Sequence, residues 1–360
     1  MGWLIGLAWA LGLVIVSGTI LPLINSNNWW IRIFDFPRFQ FAILGSIVTA
    51  FGLVMWRHAP WSSRVGLMVL VGAVITQFVQ IYSYTPFKKV QTRVATSSRP
   101  ASEISLLTAN VLQDNRDATR LLQLIRDRDP DFVLLIETDP WWIDQVSSIE
   151  ARYPHALKYP LTNYYGMVLY SKLPLHDPEI QFLVKKDIPS MRAEVELRDG
   201  RRIHLYGAHP EPPGSLKPNG GIRGTAPRDV ELVLIARQTA GQPGPAIIAG
   251  DFNDVAWSHT TRRFQRLGRV LDPRVGRVFF NSFHADHPWM RFPLDHLFHS
   301  LHFTLLDFAR QPHIGSDHFP IFAELSLEPE AKGEQKPPEA DHSDFKEATE
   351  VLHSPEAKQT

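Results

Sequence analysis

Three stretches near the start of the chain, Trp3 to Ile24, Phe39 to Trp56 and Val65 to Tyr84, are apolar and carry no charged side chain. About twenty such residues in a helix cross a bilayer core of roughly 30 Å. Trp29, Trp30, Trp56, Trp61 and Tyr84 flank these runs, where amphipathic rings sit at membrane interfaces. Residues 1–86 are therefore expected to form a membrane region of three spanning helices. A cleaved leader is the weaker reading, since no Lys or Arg precedes the first run and no small-x-small site follows it. Gln77 and Gln80, polar residues in the third run, are placed to hydrogen-bond to a neighbouring helix.

From Glu103 the pattern changes to short apolar runs separated by helical spacings. Residues 87–102, rich in Ser, Thr, Arg and Pro toward their end, read as a linker. Strands are expected at Ile104 to Val111, Phe132 to Ile136, Gly166 to Ser171, Met191 to Leu197, Ile203 to Ala208, Ala246 to Ala249, Leu294 to His299 and Phe319 to Leu325. Helices are expected over Asp117 to Arg126, Asp139 to Ile149, Asp229 to Gln238 and His259 to Leu267. Pro210 to Pro227, dense in Gly and Pro, reads as a loop. This is the alternation of a soluble α/β domain over residues 103–327. The Glu-, Lys- and Pro-rich residues 328–360 hold little apolar surface and are expected to form a disordered tail.

Charge and composition narrow the partners. The 360 residues carry 37 basic and 37 acidic side chains and no cysteine. Disulfides, thiolate metal sites and Cys nucleophiles are thereby excluded. Between Ala101 and Glu328 there are 25 Lys plus Arg against 28 Asp plus Glu, so the electrostatic case for clamping duplex DNA is missing. Arg201-Arg202 and Arg262-Arg263 read as solvated surface. The positive-inside rule favours a cytoplasmic position for everything after Tyr84, with an extracytoplasmic domain as the alternative, because large domains translocate regardless of charge.

The candidate chemistry sits at the ends of the expected strands. Asn110 interrupts the first run, Glu137 ends the second and His209 follows Ala208. The buried run Ala246 to Ala249 leads into Gly250-Asp251-Phe252-Asn253, where Gly250 permits a sharp turn and the two-residue spacing sends Asp251 and Asn253 to one side. Asp295 lies in Pro293-Leu294-Asp295-His296, and Ser316-Asp317-His318 precedes the last strand. Any one of these could be a turn residue or a solvated strand end. Together they form an ordered set of carboxylate, amide and imidazole groups at one sheet edge.

That set, in this order, resembles the endonuclease/exonuclease/phosphatase superfamily, in a membrane-anchored, bacterial-type form. Asn110 in Thr-Ala-Asn-Val, Glu137 in Leu-Ile-Glu-Thr, the Gly250-Asp251-Phe252-Asn253 element, Asp295 and Ser316-Asp317-His318 match its motifs in order. The resemblance implies a four-layer α/β/β/α sandwich and a divalent-metal-dependent phosphoesterase. It further implies Mg²⁺, or Mn²⁺, held by Glu137 with Asn110 and Asp317, while His209, Asp251, Asn253, Asp295 and His318 carry the proton chemistry. Either Asp251 or His318 would be the base. His209 fits the deoxyribonuclease and sphingomyelinase branches, whereas exonuclease III-type enzymes place Tyr in that slot. Phe292-Pro293-Leu294-Asp295-His296 departs from the family's Arg-x-Asp-Tyr. The substrate expected is a phosphate ester, lipid or otherwise close to the membrane, in an integral protein of the bacterial inner membrane, and the loop Glu211 to Arg228 would gate the site. A nuclease and a non-catalytic membrane scaffold on the same fold are the alternatives. A calcineurin-like phosphatase also fits Gly-Asp-x-x-Asp, but the Asp-x-His and Gly-Asn-His elements it needs do not occur.

Overall fold

A computed structural model describes residues 2–24, 26–58, 60–96, 99–214, 224–277 and 279–354. Eleven strands form two sheets: β1 (Glu103–Asn110), β2 (Phe132–Ile136), β3 (His155–Tyr159), β4 (Met167–Ser171), β5 (Leu175–Gln181), β6 (Ser190–Glu196), β7 (Arg202–Ala208), β8 (Ala246–Asp251), β9 (Asp295–His299), β10 (Phe303–Arg310) and β11 (Ile321–Leu327). One sheet has the order β10-β11-β1-β2-β4-β3 and the other β5-β6-β7-β8-β9. At the centre of each lies a parallel pair, β1 with β2 and β7 with β8.

The layering follows from which faces are apolar. Leu106, Leu134 and Leu169 of the first sheet meet Val195, Leu205 and Ile247 of the second in one core between the sheets. The opposite face of the first sheet, with Leu107, Val133 and Val168, is covered by the helices Thr119–Arg128 and Pro140–Val146. The outer face of the second, with Tyr206 and Ile248, is covered by Ala226–Gly241 and His259–Gly268. The result is the expected four-layer α/β/β/α sandwich.

In the membrane region two spans, Trp3–Leu23 and Trp61–Tyr84, are long and apolar enough to cross a bilayer. The pair Trp29–Asp35 and Arg38–Val54, bent by 67°, makes a third if it counts as one span. Gln77 joins the bundle internally: its Nε2 donates to Thr19 Oγ1 at 2.8 Å and its Oε1 accepts from Arg38 at 3.2 Å.

Two segments are more ordered than their composition suggests. The linker lies along the edge strand β10, bonded from Ala95 N to Leu305 O at 2.9 Å, and Thr92 Oγ1 reaches His299 Nε2 at 2.9 Å. In the tail, His342–Leu352 is a helix with a capping box between Asp341 and Asp344, so residues 328–354 are not the disordered segment expected. Ala348 and Val351 give it an apolar stripe against the second sheet's helices, and Asp344 takes both arms of Arg266 at 2.7 and 2.6 Å. So short an apolar stripe suffices because the partner surface is already built.

The membrane bundle packs directly on the sandwich. Phe36 meets Phe292 and Phe39 meets Phe279, with ring centroids 5.6 and 4.8 Å apart. Trp257 Nε1 donates to Asp35 O and Tyr84 Oη to Ala256 O, each at 2.7 Å.

Candidate active site

Strand register assembles the site. In each parallel pair the carboxyl ends of both strands point the same way: Asn110 lies opposite Ile136, so Glu137 follows beside it, and Ala208 lies opposite Gly250, so His209 and Asp251 emerge together. Asp251 pairs in turn with Asp295 across the antiparallel β8–β9 ladder. The edge thus collects polar groups from four central strands and β9, where a crevice outside strand carboxyl ends is the usual ligand site.

Asn110 joins the two sheets. Its Nδ2 donates to Glu137 Oε1 at 2.8 Å and to Asp251 Oδ2 at 3.1 Å, while its Oδ1 accepts from Leu112 N at 3.0 Å. Because the Leu112 amide requires an acceptor, the amide nitrogen is the end that faces the acids. Asn110 therefore stands here as a donor bridging two carboxylates and not as the oxygen ligand expected from sequence. Glu137 Oε2 also accepts from Gln113 N at 3.2 Å. Glu137 has φ 64° and Asn253 φ 52°, left-handed values for non-glycine residues at the ends of β2 and β8. Such values persist where the surrounding structure over-determines them.

His318 is bound from two sides. Its Nδ1 is 2.7 Å from Asp295 Oδ2, and its Nε2 is 3.5 Å from Asp251 Oδ2. The Asp295 bond forms despite the altered local motif. Ser316 sets the approach: its hydroxyl donates to Asn110 O at 2.8 Å and accepts from His318 N at 3.0 Å. His209 Nε2 lies 3.9 Å from the same Asp251 oxygen, and its ring is 5.4 Å from that of Tyr165. Asp251 Oδ1 accepts from Asn253 N at 2.9 Å. Asn253 turns its side-chain amide to Pro210 O at 3.0 Å, so it shapes the turn while Asp251 faces the cluster. Asp317 is half-buried; its carbonyl accepts from Ala285 N at 2.7 Å, while its carboxylate makes a 3.4 Å contact with the Ser316 hydroxyl at the margin of the cluster.

Two glycines permit the close packing. A Cβ on Gly250, whose φ is +147°, would lie 1.9 Å from Ala208 O, and one on Gly166 would lie 1.8 Å from Thr138 O. Tyr165, next to Gly166, places an aromatic wall beside His209. Arg228 was not legible as part of the site. It is buried, donates to Asn253 O at 2.9 Å and pairs with Asp254 at 3.3 Å, bracing the turn after β8. The expected gating loop lies largely in residues 215–223, outside the described residues, and its last residues belong to the helix Ala226–Gly241.

Burial and neighbours divide the charges. Burial raises Glu137 to about 7 against the hydrogen bonds from Asn110 and Gln113. It likewise raises Asp251, with His318 acting in the opposite direction. Burial alone would lower His318, but Asp295 and Asp251 outweigh it and hold the imidazole at about 10. His209, lowered by burial against the weaker pull of the more distant Asp251, falls to about 4 and is neutral. One imidazolium is thus set among two buried carboxylates, Asp251 and Asp295, and the half-buried Glu137, an acid-rich group that suits a divalent cation. Asp251, Asp295 and His318 offer ligand atoms within 4.8 Å of one another, and Asp295 Oδ1 is buried without a partner among the described residues.

The sequence profile of the Endonuclease/Exonuclease/phosphatase family matches residues 107–318, more than half of the chain. The chain belongs to that family. Its members are generally phosphoester hydrolases, and divalent metals are typical of them. Among solved structures, a humanized TDP2 from D. rerio is 17% identical, with a TM-score of 0.50, covering 62% of this chain and 99% of that one. The D. rerio TDP2 complexed with a single-strand DNA product is 18% identical over the same shares, again at 0.50. A family member from Bacteroides vulgatus is 16% identical, covering 63% of this chain and 99% of that one, also at 0.50. At these identities the likeness establishes the sandwich fold. No curated protein matches the chain.

Proposed function

We propose that the protein is a membrane-anchored, divalent-metal-dependent phosphoesterase that hydrolyses a phosphate ester presented at the bilayer surface. The observation that carries this reading is the meeting of Glu137 and Asp251, one from each sheet, on a single amide nitrogen of Asn110 beside the Asp295–His318 pair. Family membership supplies the reaction class.

The donor set fits a hard cation: Glu137 keeps lone pairs on both oxygens, and the cluster is acid-rich. Glu137 is the residue we assign to hold Mg²⁺ or Mn²⁺, with Asp251 next to it. When bound, such an ion neutralises charge on the phosphoryl oxygens. The protein's own groups do the rest. Asp251, its carboxyl raised by burial, takes the proton from the attacking water. His318, kept as an imidazolium by Asp295, donates to the phosphate oxygens and offsets their developing charge. His209 stays neutral and offers a hydrogen bond at the same wall.

A membrane substrate is supported by the loop that borders the site. Phe283 packs on His318 at 4.8 Å, and the segment then leads to Trp289 and Met290, 68% and 43% exposed. Gln40, in the first turn of the helix Arg38–Val54, donates to Trp289 O at 3.0 Å. An exposed Trp at the level where a spanning helix begins is an interfacial position. The near-neutral domain gives no comparable support for nucleic acid.

The full chain in neutral detergent should hydrolyse a phosphodiester or phosphomonoester with Mg²⁺ or Mn²⁺ and lose that activity to a chelator. Phospholipid vesicles should be turned over faster than single- or double-stranded DNA. Unchanged turnover in both Glu137→Ala and His318→Ala would remove the assignment, and preference for DNA would leave a nuclease.

A further inference from the structure

Away from the catalytic edge, where the membrane bundle meets the second sheet's helices, lies a polar cavity of about 320 Å³. All three membrane segments reach it, the first and third with their C-terminal ends and the second with its N-terminal end. Leu23 closes the first span, Arg38 opens the helix Arg38–Val54, and Gln80 lies in the last turn of Trp61–Ile81. The other wall is the helix His259–Gly268, through Arg262. Arg262 and Arg263, read from sequence as solvated surface, are half-buried and buried.

The charges in this cavity do not cancel. Asp35 is its acid on the membrane side, and it is shared by Arg38, which donates to it, and by Arg32 at 3.8 Å. Arg262 pairs with no carboxylate among the described residues; it donates to Gln80 Oε1 at 2.9 Å and to the Gln80 carbonyl. Arg266 and Glu347, also on the wall, are satisfied by Asp344 and by His259 and Arg263. Three guanidinium groups therefore face one carboxylate. Arg38 is 3% exposed, and its Nε is buried with no hydrogen-bond partner among the described residues. A buried, unpaired guanidinium nitrogen is expensive unless an acceptor arrives.

The rim says which acceptor. Leu23 and Ile24 line the same cavity and are 64% and 48% exposed, an apolar ridge beside the arginines. A phosphate in solution would have no use for that ridge, whereas a lipid brings an anionic phosphate and acyl chains together.

We propose that this cavity binds the phosphate headgroup of an anionic phospholipid from the leaflet beneath the catalytic domain, with Arg32, Arg38 and Arg262 as the phosphate contacts and Leu23 and Ile24 against the acyl chains. The bound lipid would tie the membrane bundle to the helix His259–Gly268, and so would fix how the sandwich stands on the bilayer. The site is distinct from the catalytic cluster and does not depend on the proposed reaction.

The test uses the full chain in neutral detergent at fixed ionic strength. It is titrated with phosphatidylglycerol, with phosphatidylcholine and with inorganic phosphate, followed by melting temperature and by intact-complex mass spectrometry. Phosphatidylglycerol should raise the melting temperature and remain bound, phosphatidylcholine should bind at least tenfold more weakly, and inorganic phosphate should give no comparable shift. The pair Arg32→Gln with Arg262→Gln should weaken phosphatidylglycerol at least tenfold, and Arg262→Lys should recover part of that loss. If the double variant does not fold, Ile24→Glu on the rim tests the same site without touching an ion pair and should also weaken phosphatidylglycerol tenfold. Equal binding of the two lipids, or wild-type binding by the folded variants, overturns the proposal. A full shift with inorganic phosphate alone overturns it as well, in favour of a soluble anion.

Discussion

Two parallel strand pairs face each other across the sandwich, β1–β2 in one sheet and β7–β8 in the other, and each ends in a carboxylate, Glu137 and Asp251. The surroundings of those carboxylates differ. Glu137 is held by an amide side chain and a backbone N–H, with no cation in hydrogen-bond contact among the described residues. Asp251 stands between two imidazoles, His318 at 3.5 Å and His209 at 3.9 Å. A carboxylate held only by neutral donors keeps its lone pairs and charge for an ion. One held between imidazoles is part of a proton-transfer unit. In the proposed reaction the same backbone device would serve a metal-binding half and a proton-handling half, with the Asn110 amide bonded to both carboxylates.

The largest expected effect lies in the second half. Asp251→Asn or His318→Ala should lower turnover on the order of 10³ to 10⁴, the scale of positioned acid–base groups, and raising Mg²⁺ or Mn²⁺ should not restore it. Glu137→Gln should behave differently. It keeps the geometry and loses the charge, so turnover should fall about 10²-fold at limiting metal and recover substantially in excess Mn²⁺. Metal titrations of the variants, read as initial rates, check the division. Rescue of Asp251→Asn by metal would place the ion in the second half and break the comparison.

Much of this was legible before coordinates. The central strands β1, β2, β4, β6, β7, β8 and β11 are covered on both faces or on one strongly apolar face, so they read as apolar runs, and their ends mark the site. The strands that escaped notice, β3, β5 and β10, are all sheet edges. Edges bury less and tolerate charge: β3 carries Lys158, β5 carries Asp177 and Pro178, and a register shift between Leu305 and Asp307 breaks the alternation in β10. Asp251 and His318 announced themselves through local motifs. Arg228 and Tyr165 did not, because their roles come from packing between elements distant in sequence. The same holds for the Arg32, Arg38 and Arg262 cluster, drawn from two ends of the chain. Arg262 reads as a surface arginine until the bundle is seated on the sandwich.

A smaller effect separates the two sheets away from the site. Asp131, beside the first sheet, is met by the Arg198 guanidinium, whereas Glu231, behind the second, accepts from the Ser190 hydroxyl at 2.6 Å. Burial raises Glu231 from 4.5 to about 7, with the Ser190 bond opposing it. Below pH 4.5 folded and unfolded chains both hold this proton, and the full stability is present. Between 4.5 and 7 the unfolded chain releases it while the folded chain retains it, so stability falls as pH rises, and above 7 the loss is complete. A shift of this size corresponds to on the order of 3 kcal/mol. Glu231→Gln keeps an acceptor for Ser190 and has no proton to lose. Urea unfolding of the sandwich in the full chain, followed at pH values on either side of this window, should therefore show a decline in wild type that is flattened in the variant. An equal decline in both would assign the pH sensitivity to the coupled acids of the catalytic edge instead.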